Sequence, residues 1–384
     1  MKILWFPRLI SGFDDLHFTT WREMGEFLSR DGNDIKIAVA GFKRIPDAGR
    51  YININILNKK ILRLLSFWIT GFINFLKLFF KYKPDAVIFD VYTLWFNLFF
   101  NWPGIKTIYI LDNRTPIIHN SGSSSSSISN FLKSLYVYAA IRYSKCFMKG
   151  VTVITDYYKD SLIKEYGFEP KKIAVWSSGV DIEKFNPQII INRSRPDYLK
   201  KKFVVMQHGE LSFNRGLIET VKAINLIDNK DIVLLLVGSG PATGHIKEKI
   251  KKYGLGSRIY LLPPVSFEEI PSFISFADCA VMAYPDCDYW NKNNPIKLIE
   301  YLAMGKVIIC TDIWTFKDVA DKSSCIRYIS NNSPEEIADA ICYLYGRQED
   351  LLSWGKKGID IVKERFTWEK QAEILNNFIL SCKK

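Results

Sequence analysis

The sequence predicts an α/β protein built from two parallel-sheet domains, and three observations carry that expectation. In the first half, short apolar runs alternate with amphipathic segments: Lys2 to Phe6, Phe18 to Arg30, Ile35 to Ala40, Ile61 to Phe80, Ala86 to Phe89, Thr107 to Leu111, Asn130 to Lys145 and Val151 to Ile154. Regular alternation of this kind is the pattern of a parallel sheet with crossover helices. A second series of strand and helix signals opens at Phe203, after a polar stretch, Asn192 to Lys202, that reads as a linker. Size is the third observation, since 384 residues with 48% hydrophobic content can bury two cores of ordinary dimensions.

The second series is punctuated by glycine. Val204 to Ile224 reads as strand, glycine turn and helix, with Arg215 and Gly216 opening the helix. Ile232 to Gly244 is a buried strand followed by a glycine turn, and Tyr260 to Ala280 gives a further strand and helix. In Asn293 to Asp312, Pro295 suits the first helical position and Gly305 the left-handed residue past the helix end. Lys306 to Cys310 then reads as a short buried strand. Backbone N–H groups of Asn294, Ile296 and Lys297 at such a helix start would face a crevice and favour the oxygens of a diphosphate. Lys297 adds a point charge, and Glu300, a turn further in, can accept both hydroxyl protons of a ribose. Taken alone, the same segment also reads as an ordinary amphipathic helix, with Lys297 and Glu300 solvated and Ile296, Leu298, Ile299 and Leu302 packed inward.

Composition narrows the class. The seven cysteines are scattered without a C-x-x-C pair, which argues against a disulfide framework or structural zinc and for a reducing compartment, with cytoplasm the expected location. The start, M-K-I-L-W-F-P, reads as a first strand. A formal charge of +12 invites a nucleic-acid reading, but the lysines are dispersed and no binding motif accompanies them, so no nucleic-acid partner is expected. An anionic membrane surface is the better partner. Ile61 to Phe80 is apolar but broken by Arg63, Asn74 and Lys77, so it falls short of a clean spanning helix. It can lie at an interface with Trp68 and Phe72 in the acyl region, or serve as a core helix before Ala86 to Phe89, and the core helix is the expected role. The aromatic run Leu94 to Trp102 carries the same choice, and the serine-rich run Ser121 to Ser127 reads as a solvated loop.

Competing motifs fail on context. Gly238-x-Gly240 with Gly244 follows a strand, but the G-x-G-x-x-x-G spacing and the lack of a closing acidic residue do not make a dinucleotide fingerprint. Asp286-Cys287-Asp288 imitates a metal clamp, yet it precedes a helix start that can replace a cation, so no metal is expected. Histidines 17, 119, 208 and 245 lack zinc-binding spacing and read as hydrogen-bonded structural residues. His119 stands apart because its loop, from Asp112 through Arg114, follows a strand and should open on a cleft.

Several segments taken together resemble the retaining GT-B glycosyltransferases of family 4. Gly209 and Leu211 with Arg215-Gly216 resemble the family's phosphate turn, Val237 to Pro241 its V-G-x-G-P turn, and Pro295 to Gly305 its P-x-K-x-x-E-Y-L-A-x-G helix. Ser178 to Asp181 with Phe185-Asn186-Pro187, and Phe366-Thr367-Trp368, resemble the family's linker-proximal and closing motifs. The resemblance implies a GT-B fold of two Rossmann-like domains facing a central cleft. Residues 1–190 would form the acceptor-side domain, 203–365 the nucleotide-sugar domain, and 366–384 a helix crossing back to the first, with hinge closure near Phe185 to Lys202.

The implied activity is transfer of a sugar from a nucleoside diphosphate donor, UDP- or GDP-linked, to an acceptor hydroxyl with retention, in cell-surface glycan or glycolipid synthesis. No cofactor beyond the donor is expected, and the acceptor would be a glycan or lipid-linked. Arg215, Lys297 and the helix start near Ile296 would neutralise the leaving diphosphate, Glu300 would hold the ribose, and Gly209, Asn294 and Gly12 would admit the phosphates. Asp112, Arg114, His119, Asp288 and Asn293 are candidates for sugar or acceptor contacts. Three positions depart from the family. Lys292 stands where a glutamate is usual, Glu210 where arginine follows the first glycine, and Pro295 where glycine opens the helix. They motivate an alternative, a GT-B protein without turnover that acts as a partner of other glycan enzymes.

Overall fold

The computed structural model describes residues 1–9, 16–41, 49–57, 60–100, 106–114, 116, 128–190, 195–321 and 323–383. Gly12, His119 and the serine-rich run Ser121 to Ser127 lie outside the described residues. The chain divides into two compact units, one formed by Met1–Ser178 with Trp368–Lys384 and the other by Gly179–Thr367.

The first unit is a parallel sheet of β1 (Lys2–Phe6), β2 (Asp34–Gly41), β3 (Tyr51–Asn55), β4 (Ala86–Asp90), β5 (Ile108–Asp112), β6 (Gly150–Val153) and β7 (Ile173–Val175) in the order β3-β2-β1-β4-β5-β6-β7. Its helices are α1 (Leu16–Arg30), α2 (Lys60–Tyr82), α3 (Ile128–Phe147) and α4 (Asp156–Tyr166). Alternation along β1 sorts the two faces: Ile3 and Trp5 join a core with Phe18, Trp21, Met24 and Leu28 of α1, while Leu4 and Phe6 join one with Phe67, Phe75 and Phe79 of α2 and Val137 and Ile141 of α3. Every residue of β4 and β5 is buried, as expected of parallel strands covered on both sides. The run after β4 forms a 3₁₀ turn, Leu94–Phe99, that buries Leu94 and Phe96 in the second of these cores.

The second unit begins with α5 (Pro187–Ile190) and contains β8 (Phe203–His208), α6 (Leu217–Leu226), β9 (Ile232–Val237), α7 (Thr243–Lys252), β10 (Ile259–Leu262), α8 (Ile270–Phe276), β11 (Cys279–Met282), α9 (Asp288–Asn291), α10 (Ile296–Ala303), β12 (Val307–Thr311), α11 (Trp314–Ala320), β13 (Ile326–Ile329), α12 (Pro334–Tyr345) and α13 (Leu351–Arg365). The strands run parallel in the order β10-β9-β8-β11-β12-β13. The order reverses between β8 and β11, and open α/β sheets bind ligands at the carboxyl ends of strands where this happens.

The structure moves two expected boundaries. Pro295 is the residue before α10 rather than its first, with φ −84° and ψ 62°, and Gly305 takes the left-handed conformation past the end at φ 63°. The first unit stops at Ser178 instead of residue 190, because Val180 donates its N–H to Phe366 O (2.8 Å) and Phe185 is buried in a core of the second unit. After Thr367 the chain enters α14 (Trp368–Ser381), whose Trp368, Leu375 and Ile379 pack into the α1 core of the first unit.

Within the second unit, α13 crosses the end of α10 so closely that a Cβ on Gly355 would lie 1.9 Å from Gly305 O. The helix backbone at Gly355 is ordinary, so the constraint there is space. Gly355→Ala should therefore destabilise this unit by about 1–3 kcal/mol through overpacking, seen as a lower denaturant midpoint, while the exposed neighbouring change Lys356→Ala should leave the midpoint near wild type.

Candidate active site

The site at the β8/β11 reversal is built from two glycine turns laid against each other. Gly209, immediately after β8, has φ 109°, and the turn after β9 approaches so closely that a Cβ on Gly238 would lie 1.9 Å from Gly209 O. Three backbone bonds join the turns: Gly209 N–H to Val237 O (2.9 Å), Leu211 N–H to Ser239 O (2.9 Å) and Ala242 N–H to Leu211 O (2.8 Å). A side chain at Gly238 would separate them. The helix after the first turn is seated by Gly216, where φ is 65° and a Cβ would fall 1.9 Å from Ala283 O just beyond β11.

This backbone brings Glu300 of α10 under the end of β8. Glu300 is 1% exposed and accepts hydrogen bonds at Oε2 from His208 Nε2 (2.9 Å) and Lys297 Nζ (3.2 Å). Tyr301 completes the arrangement. Its hydroxyl oxygen accepts the His208 backbone N–H at 2.9 Å and directs its proton to His208 Nδ1 at 2.7 Å, which leaves the Nε2 proton for Glu300. Burial, reinforced by the nearby Lys297 charge, pushes the His208 pKa down, so the imidazole is neutral. Burial opposes the charge on Glu300, but Lys297 and the hydrogen bond from His208 outweigh it and hold the carboxyl below its usual range. Among the described residues, both hydrogen bonds to the carboxylate fall on Oε2.

Cationic groups converge above this carboxylate. A Cβ on Gly209 would be 3.2 Å from Lys297 Cε and 3.9 Å from Arg215 Nη1, so both side chains pass over the glycine turn. Arg215 pairs with Glu210 (3.2 Å), lies 5.9 Å from the ring centre of Tyr284 and 5.5 Å from that of Trp290, and its buried Nε has no hydrogen-bond partner among the described residues. At the start of α10, the Asn294 Oδ1 and Nδ2 atoms are likewise buried and unpartnered. Buried polar atoms left this way are what a polar ligand satisfies.

Of the three N–H groups expected to face the crevice, that of Ile296 instead turns back to Asn294 O at 3.0 Å, since Pro295 bends the chain just before the helix. Asp288 pairs with Lys292 (3.0 Å), whose side chain is 5% exposed, and Asp286 accepts from Asn291 Nδ2 (2.9 Å), so the two aspartates engage different partners. Asn293 is used structurally, donating to Tyr289 O (2.7 Å) and accepting from Thr315 Oγ1 (2.8 Å) through its carbonyl.

The first unit carries its own polar cluster where its strand order reverses, between β1 and β4. Arg8 follows β1 and donates from Nη2 to Asp90 Oδ2 at the end of β4 (2.6 Å). At the end of β5, Asp112 is 4% exposed and accepts from Thr152 Oγ1 (2.8 Å). Arg114 lies 3.8 Å over the Trp176 ring, with Nη1 buried and unpartnered among the described residues. Desolvation lowers the Arg114 pKa to about 10, and it pushes the Asp112 carboxyl up to about 6 against the opposing field of Arg114.

A carboxyl whose folded pKa exceeds its unfolded value binds a proton more tightly when folded. Its contribution to stability is complete below the unfolded pKa and is lost as pH rises through the folded one. Stability of the first unit should therefore fall by roughly 1–3 kcal/mol from about pH 4 to about pH 6 on account of Asp112. Asp112→Asn should flatten that slope in denaturant titrations across this range.

Residues 18–184 match Glycosyltransferase Family 4, and residues 190–360 match Glycosyl transferases group 1. Among curated proteins, an uncharacterized glycosyltransferase of Methanocaldococcus jannaschii is 24% identical over 226 residues, 58% of this chain and 56% of that protein, so the chain spans about half the length of the curated relative. Two solved structures share the fold. Sucrose-phosphate synthase of Thermosynechococcus elongatus superposes with a TM-score of 0.75 at 14% identity, covering 98% of each chain. HepE of Anabaena, solved in complex with UDP, gives 0.70 at 14% identity over 99% of this chain and 100% of its own. Two successive sequence matches on two parallel α/β units, with the glycine turns and the α10 carboxylate in family order, lead to one conclusion: the chain belongs to the family 4 type of GT-B glycosyltransferases.

Proposed function

We propose that the protein transfers a sugar from a nucleoside diphosphate donor to an acceptor hydroxyl with retention of configuration. The observation that carries this reading is the convergence of Arg215 and Lys297 on the Gly209 turn, with Lys297 also paired to a buried, ionised Glu300. Cations over a flexible-free backbone turn suit a diphosphate, and the carboxylate of Glu300 suits a ribose diol.

In the reaction, the bond between the anomeric carbon and the diphosphate oxygen breaks and a bond from that carbon to the acceptor oxygen forms. The acceptor proton passes to a donor phosphate oxygen, so no separate protein base is needed. Charge grows on the departing diphosphate, where Arg215 and Lys297 meet it. Those two cations, with the start of α10, make a metal unnecessary. The UDP bound in the Anabaena structure supports a UDP-linked donor, with GDP the other candidate. The acceptor is a glycan or a lipid-linked glycan, the setting cell-surface polysaccharide or glycolipid synthesis, and the location the cytoplasm at the membrane face. Asp112 and Arg114 are proposed for the acceptor. The assembled Arg215, Lys297 and Glu300 weigh against a protein that only binds.

Thermal shift with UDP, GDP and ADP side by side tests the site, because a nucleotide that binds only the native state raises its stability with occupancy. One nucleotide should raise the midpoint and do so equally in EDTA. Arg215→Ala should lower turnover about ten- to a hundredfold, the worth of one charge-assisted hydrogen bond in the transition state. Glu300→Ala should chiefly raise the donor KM, because the ribose is held alike in ground and transition states. Wild-type turnover and donor affinity in both variants would reduce α10 to a structural helix.

A further inference from the structure

We propose that the outward face of α2, the 3₁₀ turn Leu94–Phe99 and α3 in the first unit is a docking surface for an anionic lipid bilayer. The inference is independent of the donor site, which lies in the other unit. A surface helix over a sheet ordinarily turns its polar face to water. Here α2 is apolar on both sides. Phe67, Phe75 and Phe79 are buried against the sheet, while Leu65, Ile69, Ile73 and Phe80 form an outward stripe with exposures of 57%, 53%, 44% and 66%. On α3, Phe131 (69% exposed) and Leu135 (51%) continue the pattern, and Leu98 (51%) lies in the turn.

The three segments form one layer. Trp68 of α2 meets Phe96 of the turn edge-on at 5.2 Å, and Trp95 of the turn meets Tyr136 of α3 at 5.9 Å. An exposed apolar surface of this extent marks an interaction site.

Charge decides the occupant. The segments 60–82, 94–99 and 128–147 hold seven lysines and arginines and no aspartate or glutamate. Arg63, Lys77, Lys81, Lys133 and Arg142 are all exposed. A second copy of this face would set cations against cations, whereas anionic headgroups complement cations flanking apolar side chains. By length and composition α2 could cross a bilayer over Leu62–Tyr82. Its inner aromatic face is committed to the sheet, so the helix lies in the interface with its outer stripe among the acyl chains.

Flotation of the full chain with vesicles of phosphatidylcholine alone, or mixed with phosphatidylglycerol, tests the proposal. The wild type should float with the mixed vesicles, float less as salt rises, and stay largely in solution with phosphatidylcholine. Lys77→Gln with Lys81→Gln should weaken binding about thirtyfold, each cation near the surface contributing about fivefold. Ile69→Glu with Ile73→Glu should abolish it while circular dichroism and the unfolding midpoint remain those of the wild type, since both side chains already face solvent. The proposal is overturned if the wild type ignores phosphatidylglycerol vesicles or if the double glutamate variant floats normally. A wild-type dimer that this variant dissolves would assign the face to a second copy, and retention through a carbonate wash would make α2 a spanning segment; either result also overturns it.

Discussion

The buried carboxylate of Glu300 is the constraint around which the second unit is arranged. An ionised group at 1% exposure has lost its water, a cost of several kcal/mol unless hydrogen bonds and a counter-charge replace it. Lys297 supplies the charge from the same helix, and His208 supplies a proton from the neighbouring strand end. His208 can do so only as the Nε2–H tautomer, which the Tyr301 hydroxyl enforces from its other side. Residues 300 and 301 of one helix thus grip a single histidine. The end of β8 and the start of α10 are thereby held in one register, with the cationic crevice between them.

Backbone proximity is the second condition. Gly209, Gly216 and Gly238 each sit where a Cβ would approach a carbonyl or the side chains of Lys297 and Arg215, and each has a positive φ. Conformation and space therefore select the same residue. The result is a floor made of main chain, over which Lys297 and Arg215 extend without steric competition. Glu210, the partner of Arg215, is 58% exposed at its side chain, and so forms the solvent-facing rim of this floor.

Much of this was legible in the sequence because the signals are local. Apolar runs of four to six residues located β1, β4, β5, β8 and β9, and the proline and glycine around α10 bounded it to within one residue. The sequence does not mark β3, β7 or β13, which are short or mix polar residues among apolar ones, as in Tyr51-Ile52-Asn53-Ile54-Asn55, and so carry little signal until a sheet edge accepts them; it also merges the four-residue β11 into the end of the preceding helix. His208 reads in the sequence as an ordinary structural histidine, since its partner Glu300 is 92 positions away and no spacing rule spans that distance. Its one local clue was its place between a buried strand and Gly209. The paired use of Lys292 and Asp288 was hidden for a different reason: it depends on the short helix α9, which brings positions four apart together.

The first unit is discontinuous in the chain, and this has a consequence for its making. The α1 side of its sheet is closed by Trp368, Ala372, Leu375, Phe378 and Ile379, all contributed by the last helix. A ribosome delivers that helix only after the whole second unit has been synthesised. Until then, the nascent first unit presents Ile3, Trp5 and Trp21 beside a face that its own completed segments do not fully cover. The second unit, contiguous from Gly179 to Thr367, can close its core earlier. Vectorial synthesis thus reverses the usual precedence: the unit that begins the chain is the one completed last, and loss of even the final two turns would leave its core open.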